Sequence, residues 1–433
     1  MEQVAVDSNW LLQQFQKVFG SHLKDGVWIS QAPGRVNLIG EHTDYSGGFV
    51  FPAAVGHNVA IVFTPRTDRI VRLYSCDYRQ MSEFCLNEIQ TSTDAPWSNF
   101  FRGVAWALSA HEIPDRGSDE NEDIDNTLSL GRNNRELRGL DAVISGDVPI
   151  GAGLSSSAAF EVASAFALLV AAGTDPIILN SFESECGLKV RREIALACQK
   201  AESLFVGVSC GIMDQMASCM GRAGHGIYLD CRSLRHEPVK LGLDDTDATI
   251  VVYDTGIRRG LVSSEYNRRR QEAETGAKMI AGILGQSDIH SLRDVEHSTF
   301  EAVREMLPPK VARRCEHVVR EIERVKDAVA ALRQGALLTF ANLMWESHES
   351  LRDLYEVSCP ELDMAVKLAR ETHGVLGARM TGAGFGGCTV NLVRNDALHD
   401  LMCVLPGSPL RPGASEPRAF VIDVVDGATV SEL

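Results

Sequence analysis

Arg35, Glu41, His42 and Asp44 crowd into one short segment, Pro33-Gly-Arg-Val-Asn-Leu-Ile-Gly-Glu-His-Thr-Asp-Tyr45, beside Gly34 and Gly40. Carboxylates, an imidazole and a guanidinium at this density supply both donors and acceptors, which suits a polyhydroxylated ligand. Taken one at a time, these residues read equally well as a solvated turn with a locally satisfied histidine. A second constellation, Gly151-Ala-Gly-Leu-Ser-Ser-Ser157, is a glycine and serine turn that feeds a helix. Glycines let backbone N–H groups approach an anion, and the free N–H groups of a helix N-terminus favour phosphate. The serines add donors and a hydroxyl able to ligate Mg²⁺. The turn is not a P-loop, because Gly-x-x-x-x-Gly-Lys-Ser/Thr is absent, and it is not a dinucleotide fingerprint, because the third glycine is replaced. A serine-rich helix cap is the plainer alternative.

Gly382-Ala-Gly-Phe-Gly-Gly387 satisfies Gly-x-Gly-x-x-Gly, yet a strand pattern, Cys388-Thr-Val-Asn-Leu-Val393, follows it where a dinucleotide site needs a helix. Its glycines therefore read as a tight turn that brings backbone close to a ligand or to another part of the fold. Asp214, in Gly211-Ile-Met-Asp-Gln215, stands among apolar and small neighbours. If it faces inward it needs a cation such as Arg35; the alternative is an exposed loop aspartate. Glu202 by itself reads as a solvent-facing glutamate. Arg258, Arg259 and Arg268 to Arg270, with Tyr266 among them, read as solvated helix charges.

The elements that carry these groups follow from the apolar pattern. A buried strand over 36–39 anchors the first segment, and Glu41, His42 and Asp44 emerge where the chain turns after Gly40. Strands are predicted over 59–63 and 70–74, with a turn at 65–68, and over 142–145, which leads through the Gly151–Ser157 turn into an alanine-rich helix over 158–172. Further helices are predicted over 190–206, 264–284, 311–334 and 360–372, the last two closed by Gly335 and Gly374, and strands over 226–230, 248–254 and 388–393. An amphipathic stretch with Trp10, Leu11, Phe15 and Val18 opens the chain. Residues 112–136, with the acidic run 119–125, read as a mobile surface insertion, and that run lacks the spaced ligands and glycine of an EF-hand loop.

With 433 residues the chain has room for two domains. Its net charge of −16 argues against nucleic acid or an anionic membrane surface as a partner. The eleven cysteines form no Cys-x-x-Cys and are odd in number, so they read as buried thiols in a reducing cytoplasm rather than as zinc ligands or a disulfide framework. No apolar run approaches the roughly 20 residues of a membrane span.

Pro33 to Tyr45, Val148-Pro-Ile-Gly-Ala-Gly-Leu-Ser-Ser-Ser-Ala158 and Met380-Thr-Gly-Ala-Gly-Phe-Gly-Gly387, in this order, resemble the three ordered motifs of the GHMP kinases, and the first resembles the galactokinase branch of that family. Gly211 to Gln215 and Ser263-Ser-Glu-Tyr266 match it too. The resemblance implies an α/β (α+β) fold of two lobes: an N-terminal mixed α/β lobe over 1–235 and a C-terminal lobe of antiparallel sheet and helices over 236–433, with the active site between them. It implies a monomer that phosphorylates the anomeric hydroxyl of galactose with ATP and Mg²⁺. Asp214 becomes the catalytic carboxylate and Arg35 its cationic neighbour. Glu41, His42, Thr43, Asp44 and Tyr266 become sugar contacts together with Asp214, and Thr43 between His42 and Asp44 fits the galactose members. Gly151, Ala152, Gly153, Leu154, Ser155, Ser156 and Ser157 become the nucleotide phosphate loop, Ser75 a further nucleotide contact, and Ser157 with Glu202 the magnesium-side pair. Two other readings stay open at this point: a non-catalytic sugar and ATP sensor, disfavoured by the complete Leu154-Ser-Ser-Ser-Ala-Ala159, and a kinase for N-acetylgalactosamine or arabinose.

Overall fold

The structure, a computed structural model, describes residues 7–20, 26–109, 136–208, 210–258, 262–407 and 416–433. The insertion expected at 112–136 lies, apart from Glu136, outside the described residues, as does Arg259.

Helix α1 (Ser8–Phe19) starts at Asp7, whose carboxylate accepts from the Asn9 N–H at 2.9 Å. It buries Leu11 and Phe15 against the first sheet and leaves Trp10 outside. Strands β1 (Trp28–Asn37), β2 (Phe49–Val50), β3 (Pro52–Pro65), β4 (Ile70–Ser75) and β5 (Gln80–Cys85) follow, then α2 (Asn99–Ser109) and β6 (Leu140–Gly146). The expected strand at 36–39 is thus the end of a longer one. Ser30, Gln31, Pro33 and Gly34 hide the earlier part from a pattern search, and Leu38 and Ile39 lie beyond β1, held to Phe51 by two backbone hydrogen bonds.

Next come α3 (Ser156–Ala171), α4 (Pro176–Asn180), α5 (Glu185–Lys200), α6 (Met213–Met220), β7 (His225–Asp230), β8 (His236–Lys240) and β9 (Ala248–Asp254). The remainder comprises α7 (Val262–Leu284), α8 (His297–Val303), α9 (Pro309–Arg333), α10 (Leu337–Ser350), α11 (Pro360–Glu371), β10 (Val375–Thr381), β11 (Cys388–Arg394), α12 (Leu398–Val404), β12 (Arg418–Ile422) and β13 (Thr429–Glu432).

Three sheets result. The largest has the order β13-β1-β3-β6-β4-β5, and among the described residues its only parallel pair is β4 with β6. Its edge strand comes from the far end of the sequence, with Trp28 opposite Glu432 and Gln31 opposite Thr429. The second, β10-β11-β9-β12, is antiparallel throughout, and β2-β7-β8 forms a small third sheet. In the second sheet both faces are covered. Ile250, Val252, Val390 and Leu392 face the main core, while Val251, Tyr253 and Val393 pack on α11 and α12 through Ala365, Ala369 and Leu401. That explains why β9 reads as an unbroken apolar run rather than an alternating one.

Helix α3 decides where the chemistry can sit. It is buried over nearly its whole length, and it lies against β1 and β3, where Ser30 Oγ donates to the Ala163 carbonyl at 2.9 Å. Because β4 and β6 run parallel, both release the chain at one edge of the sheet, and the turn after β6 delivers the N-terminus of α3 there. No helix among the described residues is long and apolar enough to cross a membrane.

Candidate active site

The three glycine-rich segments come together. The Arg35 N–H donates to the Leu154 carbonyl at 3.0 Å, and Arg35 Nη1 donates to the Gly153 carbonyl at 2.6 Å, which ties the end of β1 to the 151–157 turn. The Gly382 N–H donates to Glu41 Oε1 at 2.9 Å, which ties the third segment to the first. A Cβ on Gly382 would stand 3.0 Å from the Gly153 carbonyl oxygen, so the second and third segments touch backbone to backbone. The third segment is a spacer turn leading into β11.

Each segment also contains one non-glycine residue in the left-handed region: His42 at φ 64°, Ser155 at φ 60° and Phe385 at φ 60°. Such a conformation costs of order 1–3 kcal/mol and persists where the surroundings over-determine it. At Ser155 it has a visible result. The residue precedes α3, and its twisted backbone aims the hydroxyl sideways, where it donates to Asp214 Oδ2.

Asp214 stands in the first turn of α6 with a side chain 27 % exposed, facing an Arg35 side chain only 5 % exposed. Arg35 donates from Nε to Oδ1 at 2.8 Å, and its Nη2 stands in ionic contact with the same oxygen at 2.7 Å. With the Ser155 hydroxyl on Oδ2, each carboxylate oxygen accepts one hydrogen bond, and the Arg35 guanidinium crowds Oδ1. The second lone pair of Oδ2 is left to accept from an incoming hydroxyl.

The carboxylate opens into a cleft of about 290 Å³, at the small end of the roughly 300–1,000 Å³ range of small-molecule sites. Arg35, Glu41, His42, Asp44, Glu202, Asp214 and Tyr266 line it, with Cys210, Gly211 and Ala383 between them. His42 Nδ1 is 3.1 Å from the Tyr45 hydroxyl, which lies 2.5 Å from that of Tyr355, while His42 Nε2 is buried with no hydrogen-bond partner among the described residues. Burial first, and then the neighbouring His317, push the His42 pKa down to about 3, so the ring is neutral and its Nε2 can meet a ligand hydroxyl. Burial, reinforced by the Asp214 charge, raises Asp44 to about 6. Gly211 makes Asp44 possible: a Cβ there would fall 1.7 Å from Asp44 Oδ2.

Glu41 is held on three sides, by Asn37 Nδ2 at 2.7 Å, Arg379 Nη2 at 2.5 Å and the Gly382 N–H. Burial nonetheless lifts its pKa, against the pull of Arg379. Thr43 differs from its neighbours. Its hydroxyl is directed at the Gly40 and Phe49 carbonyls, 2.9 and 2.7 Å away, and it does not line the cleft.

Beyond Asp214 the cleft meets the N-terminus of α3. Glu202 sits where α5 passes into a π-helical turn (Ala201–Val206), a distortion frequent at functional sites, and the turn buries a glutamate that the sequence left in solvent. The Gln215 amide donates to Glu202 Oε2 at 2.8 Å, and the Ser157 hydroxyl lies near the same carboxylate, where it opposes the rise in pKa that burial causes. Among the described residues no group of three or more His, Cys, Asp or Glu side chains could hold a metal ion. One hydroxyl and one carboxylate, both hard oxygen donors, nonetheless fit Mg²⁺, which keeps several waters and takes further ligands from phosphate. Ser75 ends β4 opposite Ile144 and is buried, accepting the Tyr78 N–H at 3.2 Å. It shares the sheet edge from which the 151–157 turn departs, outside the cleft itself.

Several participants escape sequence reasoning. Arg258, read above as a solvated charge, pairs with Asp254 through Nη1 at 2.8 Å and Nη2 at 2.5 Å and donates from Nε to the Ile150 carbonyl at 3.0 Å, beside the 151–157 turn. Arg269, read the same way, is buried, donating to the Tyr355 and Glu356 carbonyls at 2.9 and 3.0 Å. Arg379 is fully enclosed, and a lone arginine in the otherwise apolar Val375–Thr381 stretch is the signal that could have exposed it.

Comparison with known proteins matches residues 13–65 to a galactokinase galactose-binding signature, residues 124–222 to the GHMP kinases N terminal domain and residues 328–400 to the GHMP kinases C terminal. A galactokinase of Chloroflexus aurantiacus is 41% identical over 409 residues, 93% of this chain and 94% of the relative. A galactokinase of Clostridium acetobutylicum is 37% identical over 424 residues, covering 97% and 98% of the two chains. The crystal structure of Lactococcus lactis galactokinase complexed with galactose superposes with a TM-score of 0.82 at 32% identity, covering 98% of this chain and 99% of that one. The Methanococcus jannaschii mevalonate kinase, 18% identical with a TM-score of 0.58 over 94% of this chain and 100% of its own, shares the fold.

Proposed function

The chain belongs to the galactokinase family of the GHMP kinases, and we propose that it carries out ATP-dependent phosphorylation of the anomeric hydroxyl of galactose, with Asp214 and Arg35 at the reacting oxygen. The observation that carries this reading is the Asp214 carboxylate: Arg35 holds Oδ1, Ser155 holds one side of Oδ2, and the open side faces the cleft. A sugar whose anomeric hydroxyl donates to Oδ2 lies next to the turn that carries phosphate.

Glu41, His42, Asp44 and Tyr266 surround the remaining hydroxyls with acceptors and an aromatic wall. Gly151 to Ser157 and the α3 N-terminus bind the triphosphate, with Ser75 on the nucleotide side. As the bond from the sugar oxygen to the γ-phosphorus forms and the bond to the β-phosphate oxygen breaks, the hydroxyl proton passes to Asp214 Oδ2, giving galactose 1-phosphate and ADP. In a loose transition state the attacking oxygen gains little bonding early, so Asp214 orients first and receives the proton late. Arg35 offsets negative charge at the same point, which is positioning and electrostatics rather than covalent catalysis. Ser157 and Glu202 would hold Mg²⁺, which when bound neutralises charge on the phosphate oxygens.

The two lobes divide near residue 235, with β13 returning to the sheet of the N-terminal lobe. Eleven free thiols suit a reducing cytoplasm. The test is a coupled ADP-release assay over a sugar panel. Acceptors aimed at an axial 4-hydroxyl are left unpaired by its epimer, and such sites discriminate by up to about 10⁴–10⁵, so galactose should far outrun glucose. Asp214→Asn should bind galactose while kcat falls about 10²–10⁴-fold. Equal kcat/KM for the two sugars, or normal turnover by Asp214→Asn, would refute the assignment.

A further inference from the structure

Glu161 lies on α3 one helical turn beyond Ser157, fully buried, and among the described residues no cation pairs with it. Its Oε2 accepts from the Gln215 amide nitrogen at 3.1 Å, and the same nitrogen donates to Glu202 Oε2 at 2.8 Å. A primary amide has two N–H donors in a fixed fork, and here both are spent on carboxyl groups. The outer oxygens of the arrangement, Glu161 Oε1 and Gln215 Oε1, are buried with no hydrogen-bond partner among the described residues. Burial, with Glu202 and Asp214 nearby, raises the Glu161 carboxyl well above the usual carboxylate range. An acid in an otherwise alanine-rich helix, buried at a cost and half satisfied, does no packing that leucine could not do better.

We propose that Glu161 is a positioning residue: it pins the Gln215 amide, and through that amide it fixes the direction in which Glu202 presents its carboxylate to Ser157 and the divalent cation. The inference rests on the reading of Ser157 and Glu202 as the metal-side pair. Without Glu161, one proton of the Gln215 amide loses its acceptor, the amide can rotate, and Glu202 loses its orientation. Groups that orient a metal ligand from behind typically matter by 10–100-fold in metal affinity or activity.

The experiment is calorimetric binding of ADP to the purified full-length protein with and without Mg²⁺, with galactose binding measured alongside. In the intact protein Mg²⁺ tightens ADP, and Glu202→Gln loses that increment. Glu161→Leu should lose about 10–100-fold of it while metal-free ADP and galactose affinities stay within about twofold. Glu161→Gln, which keeps a carbonyl acceptor for the Gln215 amide, should restore it. Gln215→Met should reproduce the loss, and it decides the matter should Glu161→Leu fold poorly. An increment untouched by Glu202→Gln would remove the metal reading beneath the inference. An increment that Glu202→Gln abolishes but Glu161→Leu and Gln215→Met leave whole would overturn the inference alone, as would equal losses of galactose and metal-free ADP affinity in Glu161→Leu and Glu161→Gln.

Discussion

Gly211→Ala should damage catalysis by moving an atom rather than by removing one. A Cβ at this position would stand 1.7 Å from Asp44 Oδ2 and 2.2 Å from Asp44 Cγ. Real Cβ contacts begin near 3.0 Å, so some 1.3 Å of displacement is required, the difference between 3.0 and 1.7 Å. Either the Asp44 carboxylate swings out of the cleft, or the chain around residue 211 retreats and carries Asp214 with it. A misplacement of about 1 Å can cost roughly 10²-fold, and about 2.7 kcal/mol of transition-state stabilisation corresponds to that factor. Stability should hardly change, because a side chain on the rim of an open cleft can yield. The assay is kcat/KM for galactose by coupled ADP release, run in the native background and in Asp44→Ala. With the carboxylate removed, the nearest Asp44 atom to the new methyl group is Cβ at 2.9 Å, so most of the clash disappears. Gly211→Ala should then cost less than about threefold, a strong departure from additivity. Unchanged kcat/KM in the single variant, or additive losses in the double variant, would refute the argument.

The raised Asp44 pKa, about 6, means that its acceptor form is lost as pH falls through that value, so kcat/KM for galactose should drop by about tenfold per pH unit below it. Because the folded state favours the protonated group, ionised Asp44 weakens the fold above pH 6; Asp44→Asn should therefore raise Tm at pH 8 and lose that advantage toward pH 4, and a pH-independent offset in calorimetric scans would contradict the shift. Thr43→Val should lower stability by about 1–3 kcal/mol, since the Gly40 and Phe49 carbonyls lose a donor, while KM for galactose changes little; a large KM effect in steady-state kinetics would instead mark Thr43 as a sugar contact.

Three runs of glycine mixed with charge or hydroxyl made the site legible in the sequence, because glycine and a charged cluster are unusual together for local reasons that sequence displays. The helix over 158–172, the strand over 248–254 and the helix over 311–334 were equally visible, each carrying its own apolar pattern. What stayed hidden depends on partners far away. Glu202 looks solvated until a π-helical turn rotates it inward, and Arg258 and Arg269 look like surface charge until Asp254 and the Tyr355 carbonyl meet them. His42 and Ser155 take left-handed backbone without being glycine, and nothing in their side chains announces it. Helix α6 escaped because eight residues give barely two turns of periodicity, and β13 because its partner lies some 400 positions upstream.

That last pairing shapes how the protein is made. β1 carries Arg35 at its end, yet its outer edge is closed only by residues 429–432, so the strand leaves the ribosome long before its neighbour does. At about 5–20 residues per second, the 392 positions between Asn37 and Thr429 take roughly 20–80 s to translate. Throughout that interval the nascent chain exposes a row of unpaired backbone donors and acceptors able to template a wrong strand. The half of the active site that holds the sugar is thus anchored to the part of the chain most exposed to mispairing during synthesis.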